Sequence, residues 1–232
     1  MILWIVFFIL VLAISFVLAL KSMRDYAEIH EVAGEGYSLF LIRKPAGLNN
    51  QFFTFLHDGL ISTGKNISFE RLYRGKESAL VVFGPVDLLT HFKDSLDLLE
   101  LEDYASTSQQ LTGWEVMFKK NQADTQPGKM LEGLPQFLDT DQFWWQVILW
   151  VNKSDTKALL FSSQIRAVVA CEDPARRKTL VRVLQNLPSG QLFRLPKVFS
   201  SEQISDLYKK RSFQKNNNSA LDFDSILKLL QT

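Results

Sequence analysis

The chain has 232 residues, 47% of them hydrophobic and 22% charged, with a formal net charge of +1. This balance allows a packed core, argues against wholesale disorder, and lacks the overall basic excess that polyanion binding calls for. One cysteine, Cys171, excludes an intrachain disulfide framework and a cysteine-rich metal site.

In chain order, the first feature is the uncharged run from Ile2 to Leu20. At about 1.5 Å per residue a helix of that length matches a bilayer core, so residues 1–20 read as a transmembrane anchor. A cleaved signal peptide would want a basic start and small residues before the cut. None of the former precedes Ile2, and Leu18 and Leu20 occupy the latter places. Lys21 and Arg24 follow the span directly, which predicts a single-pass protein of the plasma membrane with its bulk in the cytoplasm. Residues 21–35 read as a juxtamembrane connector.

Residues 36–120 predict a first α+β module. "YSLFLIRKP" is a strand closed by Pro45, and Leu48, Phe52, Phe55, Leu56 and Leu60 recur at helical spacing. "NISFERLY" and "SALVVFG" form a hairpin about Gly75. A helix then starts at Gly84-Pro85, with Leu88, Phe92, Leu96 and Leu99 as its buried stripe, and "GWEVMFKK" supplies a fourth strand. That order is the split βαβ arrangement of ferredoxin-like sandwiches. Residues 121–141, rich in turn formers, read as a linker.

Residues 142–199 predict a second, similar module. It has strands "FWWQVILWV" and "SSQIRAVVAC", a helix capped by Asp173 and Pro174, and a short strand "GQLFRL". The fold class expected is therefore α+β, with a single N-terminal transmembrane helix and two small ferredoxin-like modules, each an antiparallel sheet with helices on one face. The aromatic stretch "FWWQVILW" is too short for a helical span. As a strand it sends Phe143, Trp145, Val147 and Leu149 one way and Trp144, Ile148 and Trp150 the other, so both faces need covering. A tryptophan-lined ligand groove is the alternative to core packing.

Residues 200–232 predict two amphipathic helices. In the second, Phe223, Ile226, Leu227 and Leu230 form a stripe that docks either on its own module or, as helix-in-groove anchors, on a partner. Arg176, Arg177, Lys178 and Arg182 make a basic patch that fits anionic lipid, nucleic acid or plain surface solubility, and Lys209, Lys210 and Arg211 make another.

Catalytic chemistry finds no candidates. "GLISTGKN" resembles a phosphate-binding loop, but Asn66 replaces the hydroxyl residue, and the stretch follows a helix and opens a strand, the reverse of what such a loop requires. His30, His57 and His91 fall in separate elements, with His57 and His91 expected on exposed helix faces. Cys171 reads as a small buried hydrophobe. No catalytic, cofactor-binding or metal-binding residue is expected, and no small-molecule substrate is inferred.

The succession of an apolar span, "ISFERLYRGKESALVVFGP", "ELEDY", "FWWQVILW", "QIRAVVACEDPARRKTLVRVL" and "LPKVFSSEQISDLYKKRSF" resembles a known architecture. It is similar to the amino-terminal, membrane-associated region ahead of type IV secretion or conjugation-like ATPases (HerA/FtsK-type motors) of small-genome bacteria. The resemblance covers most of residues 36–230 and implies α+β modules serving a motor. The motor's Walker motifs have no counterpart here, so only a scaffold or adaptor role carries over. The function expected is a membrane-anchored, non-catalytic docking or assembly component whose partner is a protein such as a secretion-type ATPase. An enzyme with a tryptophan-lined pocket and a lipid- or nucleic-acid-binding module remain as alternatives.

Overall fold

The computed structural model describes residues 11–12, 14–16, 29–30, 36–106, 110–118, 131, 134–151, 159–186, 192–194, 200–214 and 219–230. After the two-residue strand β1 (Ile29–His30), β2 (Tyr37–Ile42) leads to helix α1 (Asn50–Thr63). Asn49 caps this helix by accepting a hydrogen bond from the Phe52 amide at 3.0 Å. Gly64 ends it at φ 67°, a left-handed conformation that costs glycine little. The supposed phosphate-binding loop is therefore this helix end and the start of β3, and Lys65 pairs with Asp87 at 3.1 Å.

Strands β3 (Asn66–Arg74) and β4 (Glu77–Pro85) form the expected hairpin. The helix expected after Pro85 breaks into short turns, Val86–Leu89, Thr90–Phe92 and Lys93–Leu96. Asp97 then takes a left-handed φ of 49°, which ends helical winding and starts β5 (Leu98–Leu101). Leu99 consequently lies on a strand, 47% exposed, and not in a helix stripe.

The remaining elements are β6 (Leu111–Phe118), β7 (Gln142–Trp150), β8 (Phe161–Ala170), helix α2 (Pro174–Gln185), β9 (Leu192–Arg194), helix α3 (Ser201–Lys209), β10 (Phe213–Gln214), β11 (Ser219–Leu221) and helix α4 (Phe223–Leu230). Nine strands join in one sheet of order β5-β2-β4-β3-β7-β8-β6-β9, with β11 beside β8, while β1 pairs with β10. Every pairing is antiparallel.

This architecture corrects the expected fold class. Two separate sheets do not form. Each half has the strand order fourth-first-third-second, β5-β2-β4-β3 and β9-β6-β8-β7, and the halves fuse through their second strands. β3 and β7 pair from Asn66 opposite Trp150 to Arg74 opposite Gln142. The physical reason is that either strand, left at an edge, would expose a long row of unpaired amides and carbonyls. The strand Leu111–Phe118, expected to complete the first module, instead begins the second, and β5 takes its place. Leu131 and Phe137, in the expected linker, are buried in the common core.

The transmembrane anchor is the second correction. Among the described residues no helix is long and apolar enough to cross a membrane, which contradicts the single span and the single-pass plasma-membrane placement built on it. Residues 1–10, 13 and 17–20 lie outside the described residues, as do 21–28 and 31–35 of the connector.

One face of the sheet carries the main apolar cluster. Phe69, Trp145, Val147, Leu149, Ile165 and Val169 meet Phe52, Phe53, Leu56 and Leu60 of α1, Leu180 and Leu184 of α2, and Ile226, Leu229 and Leu230 of α4. The alternating residues point to the opposite face, where the chemistry is different.

Candidate functional site

The centre of that opposite face is polar. Glu70 on β3 lies opposite Gln146 on β7, Gln146 opposite Arg166 on β8, and Arg166 opposite Glu115 on β6. The register thus aligns four polar side chains, Glu-Gln-Arg-Glu, in a single rung across the middle of the sheet, and Glu70, Gln146 and Arg166 are fully buried. Burying charge is costly unless each ion is paired and hydrogen-bonded. The surroundings of the rung meet most of that demand, leaving Gln146 Oε1 and Arg166 Nη2 without a partner among the described residues.

Glu115 accepts hydrogen bonds on Oε1 from Arg166 Nε at 2.8 Å and Gln164 Nε2 at 2.9 Å. Glu70 Oε1 accepts from Ser68 Oγ at 2.8 Å, Gln146 Nε2 at 3.0 Å and Arg211 Nε at 2.9 Å. Its Oε2 accepts from the Tyr104 hydroxyl at 2.5 Å, and the Tyr104 and Tyr208 hydroxyls are 2.8 Å apart. Arg211 also donates to Asp103 through Nη1 at 2.8 Å and Nη2 at 3.1 Å. Its guanidinium lies 4.3 Å above the Phe83 ring.

The segment supplying Arg211 covers the rung. Ser200 and Gln203 form a capping box that starts α3. Gly113 lets α3 come close to β6: a side chain there would meet Ile204 and Ser205 at 3.0–3.2 Å. The freed Gly113 amide donates to Ser201 Oγ at 2.9 Å. The helix ends in a Schellman turn, with the Ser212 amide donating to Leu207 O and the Arg211 amide to Tyr208 O, each at 3.0 Å. Arg211 occupies the place that glycine usually holds, at φ 51°. A non-glycine residue there costs about 1–2 kcal/mol. The ion pairs with Glu70 and Asp103 offset that cost.

The protonation of these groups follows from their surroundings. Burial pushes the Tyr104 and Tyr208 hydroxyls well above the ordinary tyrosine value, and the nearby Glu70 charge pushes them further. Burial alone would lower Arg211, but Glu70 and Asp103 outweigh it and hold the proton more tightly than in free arginine. Burial lowers Arg166, and Glu115 only partly restores it. Asp103 is likewise raised by burial, yet its hydrogen bond from Arg211 leaves it below the usual carboxylate value.

A third buried carboxylate, Asp141, sits just before the start of β7. Asp141 accepts from the Leu138 amide at 2.8 Å, Arg176 Nε at 2.7 Å and the Cys171 thiol at 3.3 Å. Burial raises its pKa, but the Arg176 and Leu138 hydrogen bonds prevail and it lies below the ordinary value. Burial and Asp141 push the Cys171 thiol up, which makes it a poor nucleophile. A depressed carboxylate stabilises the fold above its unfolded pKa of about 3.9 and loses that contribution as pH falls through the folded value. Urea unfolding followed from about pH 5 to pH 3 should therefore show a smaller loss for Asp141→Asn than for the parent chain, though the variant starts less stable.

The expected site residues are placed as follows. Arg176 is tied to Asp141, and Arg177 donates to Cys171 O at 2.6 Å and Gln110 Oε1 at 2.8 Å. Lys178 and Arg182 are exposed, so the four do not form one free cationic surface. Phe223, Ile226, Leu227 and Leu230 all pack into this chain's own core, with Phe223 6.3 Å from Phe53 between ring centroids. The stripe therefore faces this chain's own core, with Phe223 and Leu227 only partly buried.

His57 is 3% exposed against Phe161, not on an exposed helix face. Trp144, Trp145 and Trp150 are 1–3% exposed: Trp145 joins the main core, while Trp144 contacts Tyr104 and Tyr208 and Trp150 contacts Phe213. The rung residues were not singled out by sequence. Their signal is a lone polar side chain inside an apolar strand, as with Gln146 in "FWWQVILW". Comparison of the chain with protein-family models and with curated proteins finds no match.

Proposed function

We propose that this chain is a non-catalytic docking or assembly module. The observation that carries the reading is the commitment of its buried carboxylates: Glu70 is held by Arg211, Glu115 by Arg166 and Asp141 by Arg176. A general acid or base needs a proton it can exchange with a bound substrate. These carboxylates spend their lone pairs on internal donors that pin one element to another. The tryptophans, packed into the core, likewise argue against an aromatic ligand groove.

The resemblance to regions that precede conjugation-like motors supports a secretion-type ATPase as the partner. Mixing the purified chain with such a motor and measuring mass by analytical ultracentrifugation tests the reading, and a complex of fixed stoichiometry is expected. Turnover of a substrate by the purified chain alone, abolished in a folded Glu70→Gln variant, would contradict it.

A further inference from the structure

The two faces of the sheet are covered in different ways. On one, helices bury apolar side chains against apolar side chains. On the other, the sheet's polar side chains grip the main chain of the segment Ser200–Gln214. Gln146 Nε2 donates to Tyr208 O at 3.2 Å, and Arg166 Nη1 donates to Leu207 O at 3.2 Å and also to Ser212 O. Gln164 Oε1 accepts from the Gln214 amide at 3.1 Å.

Two strap side chains act as anchors: Arg211 between Glu70 and Asp103, and Phe213 with its ring 4.7 Å from that of Trp150. Recognition of main-chain groups by fixed side chains, with two anchors in defined seats, is how a groove holds a peptide.

We propose that Ser200–Gln214 is an internal ligand, a strap occupying in cis a groove that accepts in trans an arginine-bearing helix end from a partner protein. The inference rests on the docking reading and names the surface and the partner's chemistry. Opening uncovers the polar rung together with two small apolar clusters, Ile148 with Trp150 and Trp144 with Val168 and Ala170. Water can hydrate Glu70, Gln146, Arg166 and the strap carbonyls, whereas opening the other face would expose the much larger main apolar core. Release also lets Arg211 leave its left-handed backbone. An incoming segment needs a guanidinium for the two carboxylates and free carbonyls at a helix end for Arg166 and Gln146. A second cation without those carbonyls would fill only part of the site.

Amide hydrogen exchange on the full chain reads strap opening directly. In the parent chain α3 amides should exchange at least about tenfold faster than those of β7. Arg211→Ala and Phe213→Ala weaken the strap and leave the groove intact. Each should raise α3 exchange about another tenfold while β7 stays protected. A fluorescent peptide of sequence Ser200–Gln214 should then bind either variant, and the same peptide carrying Arg211→Glu should not.

Exchange of α3 in step with β7 in all three proteins would overturn the proposal, because the strap would then be part of the core. So would an opened strap whose groove ignores the arginine peptide. A chain that binds the motor with α3 locked keeps the docking reading and removes this one. Strap opening and peptide capture in a chain that binds no motor would do the reverse.

Discussion

Trp145→Ala is expected to lower the stability of the whole chain by about 3–5 kcal/mol, the usual loss for truncating a buried tryptophan to alanine. Trp145 is 2% exposed and lies opposite Arg71 on one neighbouring strand and Ala167 on the other. Ala167 is too small to close the cavity, and sheet pairing on both sides prevents the backbone from collapsing into it. The loss is a large part of the about 5–15 kcal/mol that holds a typical domain folded. Urea titration should show a lower midpoint with an unchanged slope.

Trp145→Phe should cost much less. It keeps most of the ring, and the indole N–H it removes has no hydrogen-bond partner among the described residues. A loss below about 1 kcal/mol for Trp145→Ala would mean that the ring does not fill the core, and would favour a ligand groove.

Arg166→Met should be of similar size. Arg166 is fully buried and Glu115 is 5% exposed, so removing the cation leaves a carboxylate without its partner at the centre of the sheet. Breaking such a pair costs about 3–5 kcal/mol, whereas replacing both ions by neutral side chains is often close to neutral. The melting temperature of Arg166→Met should fall by roughly 10 °C, and adding Glu115→Gln should restore much of that loss. Glu115→Gln that worsens Arg166→Met would argue that the carboxylate is stabilised by something other than the guanidinium.

Alternation along β7 was legible in the sequence because a strand has period two, and the structure divides its residues between the faces as that period requires. The start of α2 was also legible, through Asp173 and Pro174. Fusion of the two halves was not. Apolar residues on both faces of β7 call for cover and for pairing but do not say which strand pairs with it. The helix expected over residues 85–99 failed at Asp97, where a left-handed backbone ends helical winding and puts Leu99 on a strand.

The rung escaped for a related reason. Its members lie on four strands, and only the register brings Glu70, Gln146, Arg166 and Glu115 into line. Arg211, flanked by Lys209 and Lys210 in "YKKRSF", read as surface charge. The Schellman turn separates it from them, leaving Lys210 exposed and turning Arg211 inward. The stripe on α4 was legible as a stripe, but sequence could not say that its own core would receive it.

The central claim is that the buried charges are structural and pin the strap to the sheet. A double-mutant cycle between Glu70 and Arg211 tests it most directly, using Glu70→Gln, Arg211→Met and the pair, each measured by equilibrium unfolding. The account predicts a coupling of about 2 kcal/mol or more, as expected for directly bonded, desolvated partners. A coupling near zero would contradict it, since Glu70 would then be held by nothing the strap supplies.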